Sequence, residues 1–303
     1  MRRLGLALVA LVVSACLAAV AGHAARPAAA VGRLAAVRSG ASARFVGSMP
    51  GVEPAVSSNW GGYVALGPGS TATTASPSMT FTDVTGQWVE PKAVCSGAAS
   101  SVALWVGLGG YSTDSQTLEQ TGTSADCSSA GTPSYYAWYE LVPANSVTIS
   151  LKIFPGNVIA SSVVAVGGDI LVQVTDRTRG TRFTKRIAMA SPDLTSAEWI
   201  AEAPAECSSN TACKQLALTD FGSVSFARTY AVGNDADGTI TGPGWSATAI
   251  QLVPHAQRFY GASNQSTSGT PGAGAMPYGL TANGTGFTIT WQANASTAAP
   301  TAA

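Results

Sequence analysis

Apolar and polar residues alternate along most of the chain between Phe81 and Trp291, which is the pattern of β-strands that bury one face. β-branched and aromatic residues dominate these segments, and Gly, Ser and Asn residues separate them. We predict strands over Phe81–Val89, Val102–Leu108, Tyr135–Val142, Val147–Phe154, Ile170–Thr175, Arg182–Ala188, Ser223–Val232, Ala247–Val253 and Phe287–Gln292.

Many short strands separated by turns predict an all-β fold, an antiparallel sandwich or barrel in one domain. Arg177 to Thr181 is predicted to be a hairpin turn, in which Gly180 supplies a positive φ. Only the segment from Leu194 to Glu206 is equally compatible with a helix, which Pro204 would end.

The N-terminus has the charged, apolar and small-residue order of a secretory signal, so we expect residues 1–24 to be a signal peptide and the protein to be secreted. A retained membrane anchor is the alternative reading of the apolar run from Leu4 to Val20. Residues 25–52 are predicted to be a basic pro-segment or a linker, residues 53–294 a single β-sandwich domain, and residues 295–303 a disordered tail.

Charge is scarce and unevenly distributed. The 303 residues carry a net charge of +0 with only 11% charged residues, which gives no basic excess for binding nucleic acid. Six of the 16 basic residues precede Glu53, and from there on 10 basic residues face 16 acidic ones, a net charge of −6. We therefore expect no nucleic-acid partner, no membrane association after signal removal, and a monomer.

Four cysteines follow the signal, and in an exported protein they favour disulfides over a metal site. Cys207 and Cys213 are close in sequence and suggest a short loop bridge, which leaves Cys95 for Cys127. No CxxC occurs, and His255 is the only histidine beyond the signal, so we predict neither a metal nor a cofactor.

Several catalytic designs fail on the residues available. A serine or cysteine triad needs a base, for which His255 is the only histidine, and neither GxSxG nor HExxH occurs. The segment from Asn234 to Gly238 has calcium-loop character but lacks the distal glutamate, so a polar turn is the better reading.

Carboxylates remain as acid and base candidates. Glu119 neighbours Gln120, and Glu140 follows a run of aromatic residues. Glu198 and Glu202 share one face whether their segment is a strand or a helix. Aromatic surroundings would raise a carboxyl pKa and suit acid/base chemistry, whereas the competing reading makes these glutamates solvated surface charges.

Five ordered motifs resemble those of the glutamic peptidases, also called eqolisins. The motifs are Ser58-Asn59-Trp60-Gly61-Gly62-Tyr63, Trp105-Val106-Gly107-Leu108-Gly109-Gly110, Leu118-Glu119-Gln120-Thr121-Gly122, Tyr136-Ala137-Trp138-Tyr139-Glu140 and Ala197-Glu198-Trp199-Ile200-Ala201-Glu202. Each motif alone is weak, but five in the same order make a chance resemblance improbable.

The resemblance implies a secreted acid endopeptidase on a two-sheet, concanavalin-like sandwich, acting on proteins or peptides. It implies Gln120 and Glu202 as the catalytic pair, with Glu202 rather than Glu198 as the glutamate. It further implies that the substrate cleft is formed by Trp60, Trp105, Tyr136, Trp138 and Glu140, and it supports the Cys95–Cys127 pairing.

One departure from the family concerns Gly109, which stands where fungal members carry an aspartate that helps to organise the site. Two functions from other classes also fit the residues: a β-sandwich glycoside hydrolase, and a non-catalytic carbohydrate-binding module with tryptophan platforms. In the hydrolase alternative Glu140 would be essential and Gln120 dispensable.

Overall fold

The structure, a computed structural model, describes residues 52–71, 73–76, 78–113, 115–209, 212–254 and 272–295; for residues 206–209 and 212–214 it describes the backbone alone. Every regular element within these ranges is a β-strand. The strands are Val52–Ser57 (β1), Trp60–Leu66 (β2), Phe81–Val89 (β3), Ser100–Leu108 (β4), Leu118–Cys127 (β5), Pro133–Val142 (β6), Val147–Ile149 (β7), Val158–Val166 (β8), Asp169–Asp176 (β9), Thr181–Ala188 (β10), Ser196–Glu202 (β11), Ala205–Ser209 (β12), Ala212–Gln215 (β13), Ala217–Leu218 (β14), Ser223–Gly233 (β15), Ala236–Gly238 (β16), Ser246–Leu252 (β17), Gly272–Pro277 (β18) and Gly286–Ala295 (β19).

All nine predicted strands are present, and Phe81–Val89 has the predicted ends. The predicted strand from Val147 to Phe154 is shorter, ending at Ile149. The ambiguous segment after Leu194 is a strand, β11, because it lies between two other strands and is buried along its whole length. The strands β1, β2, β5, β8 and β18 and the short strands β12, β13, β14 and β16 were not predicted. The continuous burial of β2 and β5 hides their alternation.

Two runs of neighbouring strands make up the fold. One run has the order β7-β6-β5-β4-β11-β2-β17-β1 and the other β10-β9-β8-β3-β15-β19-β18. A single pairing, Leu252 with Ala275, joins the runs through β17 and β18. The pairs are antiparallel except for β1 with β17 and β14 with β4.

The main hydrophobic core draws side chains from both runs. Leu104 and Trp199 of the first run and Trp88 and Phe226 of the second belong to one buried cluster. The first run also carries a second cluster, which includes Trp60, Val64, Trp105, Leu118, Trp138 and Ile200. Because side chains alternate along a strand, these residues lie on the opposite face of the first run, which we call the site face.

A disulfide joins Cys95 to Cys127 and confirms the predicted pairing. Cys207 lies directly opposite Cys213 in the backbone register of the β12–β13 hairpin. Their side chains fall outside those described, so the predicted bridge between them stays a prediction.

Both predicted turns have the expected backbone. Gly180 adopts a φ of 67° between β9 and β10. Asn234 and Asp235 have φ values of 47° and 62° and connect β15 to β16, and the Asn234 amide binds the backbone of Ser78 and Thr80, which confirms the polar turn. No helix in the described residues is long and apolar enough to cross a membrane. The predicted signal, pro-segment and tail, and His255, lie outside the described residues, apart from Val52 and Ala295 at their borders.

Candidate active site

The site face gathers the proposed catalytic residues from three strands. Side chains two residues apart on a strand point to the same face. Gln120 on β5, Glu140 on β6 and Glu202 on β11 each follow a residue of the site-face cluster by two positions: Leu118, Trp138 and Ile200. Gln120, Glu140 and Glu202 are each at most 2% exposed. The fold therefore brings together residues that are far apart in the sequence, on one buried face.

Glu202 receives one hydrogen bond on each carboxyl oxygen. Trp105 donates its indole N–H to Oε2 at 2.9 Å, and Asn59 donates its amide N–H to Oε1 at 3.2 Å. Burial raises the pKa of Glu202 to about 8, and these hydrogen bonds oppose that rise because they favour the charged form. In the buried site Glu202 thus carries its proton at acid pH.

Gln120 is held by the second glutamate of the site. Its Nε2 donates to Glu140 Oε2 at 2.7 Å, while its Oε1 has no hydrogen-bond partner. Burial raises the pKa of Glu140 well above its usual range, and the nearby charge of Glu202 raises it further. Glu140 therefore interacts with both members of the proposed pair. It accepts a hydrogen bond from the Gln120 amide, and the charge of Glu202 raises its pKa.

The strand register relates Gln120 to both glutamates of β11. Gln120 lies opposite Gly107 on β4, and Gly107 lies opposite Glu198 on β11. Glu202 is four residues further along β11, opposite Ala103. Backbone register alone therefore aligns Gln120 with Glu198, and the link to Glu202 has to come from side chains.

The Trp105 indole reaches from Gly107, the residue opposite Gln120, to the carboxyl group of Glu202. A Cβ on Gly107 would come within 2.9 Å of the Trp105 ring carbon Cζ3, so the ring lies over the glycine that faces Gln120. The Nε1 of the same ring reaches Glu202. A second glycine, Gly122, lies opposite Trp105, and a Cβ there would come within 2.8 Å of Trp105 Cβ. Gly107 thus makes room for the indole that binds Glu202, and Gly122 makes room for the β4 backbone at Leu104 and Trp105.

The aromatic residues predicted to line the cleft also lie on the site face. Trp60 packs edge-on against Trp105 with 5.0 Å between ring centroids. Trp138 is fully buried, and Tyr136 packs against the same cluster. The Trp60 side chain faces Glu202 and lowers its pKa, whereas the indole nitrogen of Trp138 has no hydrogen-bond partner. The Trp138 donor is therefore available to a polar ligand.

Glu119 and Glu198 are two further buried glutamates, on opposite faces of the first run of strands. Both are fully buried, and none of their carboxyl oxygens has a hydrogen-bond partner. Burial raises the pKa of Glu119 to about 9 and that of Glu198 well above its usual range, and Asp193 adds to both shifts. The reading of these glutamates as solvated surface charges is wrong, because the strands that carry them lie inside the molecule.

Asp193 occupies the space beside Gly109, the position that departs from the family pattern. Gly109 has a φ of 78°, and a Cβ there would come within 2.6 Å of the Asp193 Cβ. The Asp193 carboxylate accepts hydrogen bonds from the Gly110 backbone N–H at 3.1 Å, from the Ser115 hydroxyl and from Thr195. A carboxylate from the loop before β11 therefore fixes the end of β4 where Gly109 itself supplies none.

Sequence reasoning assigned no role to Asn59 or Ser57. Asn59 holds Glu202, and Ser57 holds Asn59 through a hydroxyl bond to Oδ1 at 3.0 Å. The available signal was the position of Asn59 inside the first motif, next to Trp60. Its partner could not be recognised, since the contact spans 143 positions.

The described residues thus form an all-β fold that carries buried glutamine, glutamate and tryptophan side chains on one face. The Peptidase A4 family matches residues 58–270. The chain belongs to this family, which confirms the resemblance to the eqolisins and the assignment as a peptidase.

Individual relatives agree with this assignment. The chain is 29% identical to aspergillopepsin-2 of Aspergillus niger over 220 residues, which cover 65% of this chain and 70% of that protein. Its fold resembles scytalido-glutamic peptidase bound to a peptide-based transition-state analogue, with a TM-score of 0.58 and 23% identity, covering 78% of this chain and 100% of the other. It also resembles SCP-B, an eqolisin in complex with the tripeptide Ala-Ile-His, with a TM-score of 0.55, 24% identity and the same coverage.

Proposed function

We propose that the protein is a secreted acid endopeptidase in which Glu202 activates water and Gln120 stabilises the oxyanion. The observation that carries the proposal is the pair of N–H donors, from Trp105 and Asn59, on a buried Glu202. Donors of this kind favour a carboxylate where burial alone would keep the group neutral. Glu140, bonded to Gln120, supports the other half of the pair.

A water molecule that binds Glu202 partly offsets the desolvation that raises its pKa, and the two donors then stabilise its carboxylate. The carboxylate takes a proton from water as the water oxygen bonds to the scissile carbonyl carbon. The carbonyl electron pair moves onto oxygen, where an N–H of Gln120 stabilises it. Glu202 finally gives its proton to the amide nitrogen as the carbon–nitrogen bond breaks.

A neutral amide suits this chemistry at acid pH because, unlike histidine, it does not change charge there. One preorganised oxyanion donor is worth about 3–4 kcal/mol, a factor of about 10²–10³ in rate. Trp60, Trp105, Tyr136 and Trp138 are assigned to the walls that hold the peptide, since each is aromatic and lies on the site face.

The decisive experiment measures cleavage of acid-denatured haemoglobin or casein across acid pH, with pepstatin present to exclude a pepsin-like contaminant. We expect Gln120→Ala to lose about 10²–10³-fold and Glu202→Gln to lose at least as much. Circular dichroism checks that each variant folds.

Glu198→Gln is the matched control, because Glu198 lies on the same strand and face as Glu202 and is equally buried. We expect it to be the milder variant. An inactive Glu198→Gln together with an active Glu202→Gln would transfer the catalytic role to Glu198, which the register aligns with Gln120. Substantial turnover by Gln120→Ala would reject the pair.

The same proposal covers the parts of the chain around the domain. We assign residues 1–24 to an export signal, 25–52 to a pro-segment or linker, 53–294 to the catalytic domain and 295–303 to a tail. We further propose that the two runs of strands are the two sheets of a concanavalin-like sandwich, which the core shared between them supports, and that the enzyme is a monomer binding neither nucleic acid nor membrane. Mass spectrometry of the exported protein would locate its N-terminus.

A further inference from the structure

A chain of hydrogen bonds runs from the end of β1 to the carboxyl group of Glu202. The Ser57 hydroxyl donates to Asn59 Oδ1 at 3.0 Å, and Asn59 Nδ2 donates to Glu202 Oε1 at 3.2 Å. The Ser57 oxygen also accepts the backbone N–H groups of Asn59 at 3.3 Å and Trp60 at 3.1 Å. One hydroxyl thus fixes both the backbone turn and the orientation of the amide.

The backbone places these residues beside the site through an unusual connection. β1 pairs in parallel with β17, and β2 pairs antiparallel with the same strand, so residues 57–59 pass over the end of β17. Val253 N–H donates to the Ser57 carbonyl, and Ala203 N–H donates to the Asn59 carbonyl, both within 2.9 Å. Ser57 and Asn59 are 3% and 6% exposed. The connection is therefore buried and bonded on both sides.

We propose that Asn59 is a positioning residue for the proposed peptidase reaction and that it orients the Glu202 carboxyl group. Ser57 in turn orients the Asn59 amide so that its N–H points toward that carboxyl group. The inference rests on the function proposed above. It follows from donor and acceptor chemistry: a serine hydroxyl that donates to Oδ1 leaves only the NH₂ side of the amide for Glu202.

The consequence for Glu202 is a fixed direction for each oxygen. Trp105 binds Oε2 and Asn59 binds Oε1, so the carboxyl plane is held at both ends. The titratable groups on the same face are Glu140 and Tyr136 of β6, Glu198 of β11 and Tyr111 after β4. Glu140 is the one whose pKa responds to the charge of Glu202. Loss of the Asn59 donor leaves Glu202 free to rotate and makes its charged form less favourable.

The test compares kcat and KM across acid pH for Asn59→Ala, Asn59→Asp, Ser57→Ala and Ser57→Thr. Because a donor to a carboxylate favours ionisation, we expect Asn59→Ala to move the acid limb of the kcat/KM profile upward by about one pH unit. We expect kcat to fall about tenfold with KM little changed, since Asn59 contacts Glu202 and not the peptide. Ser57→Ala should shift the profile in the same direction by less, and Ser57→Thr should restore it because it keeps the hydroxyl.

Ser58→Ala is the matched control, since Ser58 lies between the two residues, is 6% exposed and gives its hydroxyl to neither of them. A wild-type profile in Asn59→Ala, or identical profiles for Ser57→Ala and Ser57→Thr, would overturn the inference. If Asn59→Ala does not fold, the Ser57 pair and Asn59→Asp decide the question. An inactive wild-type enzyme, or an active Glu202→Gln, would instead reject the proposed function.

Discussion

Replacement of Glu119 by glutamine should stabilise the fold increasingly as the pH rises. Glu119 is fully buried and its carboxyl oxygens have no hydrogen-bond partner. Burial raises its pKa from 4.5 to about 9, so the folded protein keeps this proton over a pH range in which the unfolded chain releases it. A raised pKa means that the contribution to stability is complete below pH 4.5 and is lost as the pH rises towards 9.

The magnitude follows from the pKa difference. Between the two pKa values each pH unit costs the fold about 1.4 kcal/mol for this one group. Between about pH 4 and about pH 6 the cost amounts to about 2 kcal/mol, because at pH 4 the unfolded chain still binds most of the proton. Glutamine has no proton to lose, so the variant avoids the cost while keeping the shape of the side chain.

The assay is urea unfolding followed by tryptophan fluorescence, for wild type and variant, at about pH 4 and about pH 6. We expect the free-energy difference, variant minus wild type, to become more favourable to the variant by about 2 kcal/mol between these pH values. The free-energy cost of burying the glutamine amide is the same at both pH values. It therefore cancels when the variant-minus-wild-type difference at one pH is subtracted from that at the other.

Glu53→Gln is the control, since Glu53 is exposed at the start of β1 and its side chain meets water in both the folded and the unfolded chain. A free-energy difference for Glu119→Gln that stays constant over the two pH values would refute the reasoning.

The same physics applies to Glu90 and Glu202, whose pKa values are raised to about 7 and about 8. We therefore expect the whole domain to lose stability as the pH rises from about 5 to about 8, which would favour work at acid pH.

Three further predictions concern stability. Removing the Cys95–Cys127 bridge by a double serine replacement should cost about 3–4 kcal/mol, measured by urea unfolding with and without reductant, because the bridge closes a loop with a sequence separation of 32. Gly122→Ala should destabilise the fold by more than about 1 kcal/mol and reduce activity, since its Cβ would meet the backbone of β4. A variant with the melting temperature of the wild type would contradict this prediction. Arg186→Ala should change the unfolding free energy by less than about 1 kcal/mol at low salt and by nothing at high salt, because the ion pair with Asp169 is solvent-exposed.

Local chemistry explains which parts of the fold were predictable. Strands such as β3 and β15, which alternate between buried and partly exposed residues, carry the period of two in their sequence. β2, β5 and β11 are buried on both faces, so their alternation disappears. These three strands hold Trp60, Gln120 and Glu202, so periodicity failed for this part of the site, whereas β4 and β6, which hold Trp105 and Glu140, were predicted.

The candidate site divides in the same way. The motifs contain Gln120, Trp105 and Glu202, but their roles came from the family resemblance and not from spacing. The glutamate bonded to Gln120 is Glu140 of the neighbouring strand, and the indole that binds Glu202 lies across Gly107; no local pattern records either contact. The link from Ser57 through Asn59 to Glu202 likewise depends on β17 lying between β1 and β2.

By itself the sequence determined that this protein is built from strands, that it carries cysteines suited to a bridge, and that its acid/base chemistry has to come from carboxyl and amide groups. Those properties depend on residue type and on neighbours within a few positions. Only the tertiary structure decided that four glutamates of three strands are buried, that Glu202 binds a tryptophan and an asparagine, and that burial raises the pKa values of all four. The physical reason is that desolvation and hydrogen bonding depend on atoms that are adjacent in space while lying many residues apart along the chain.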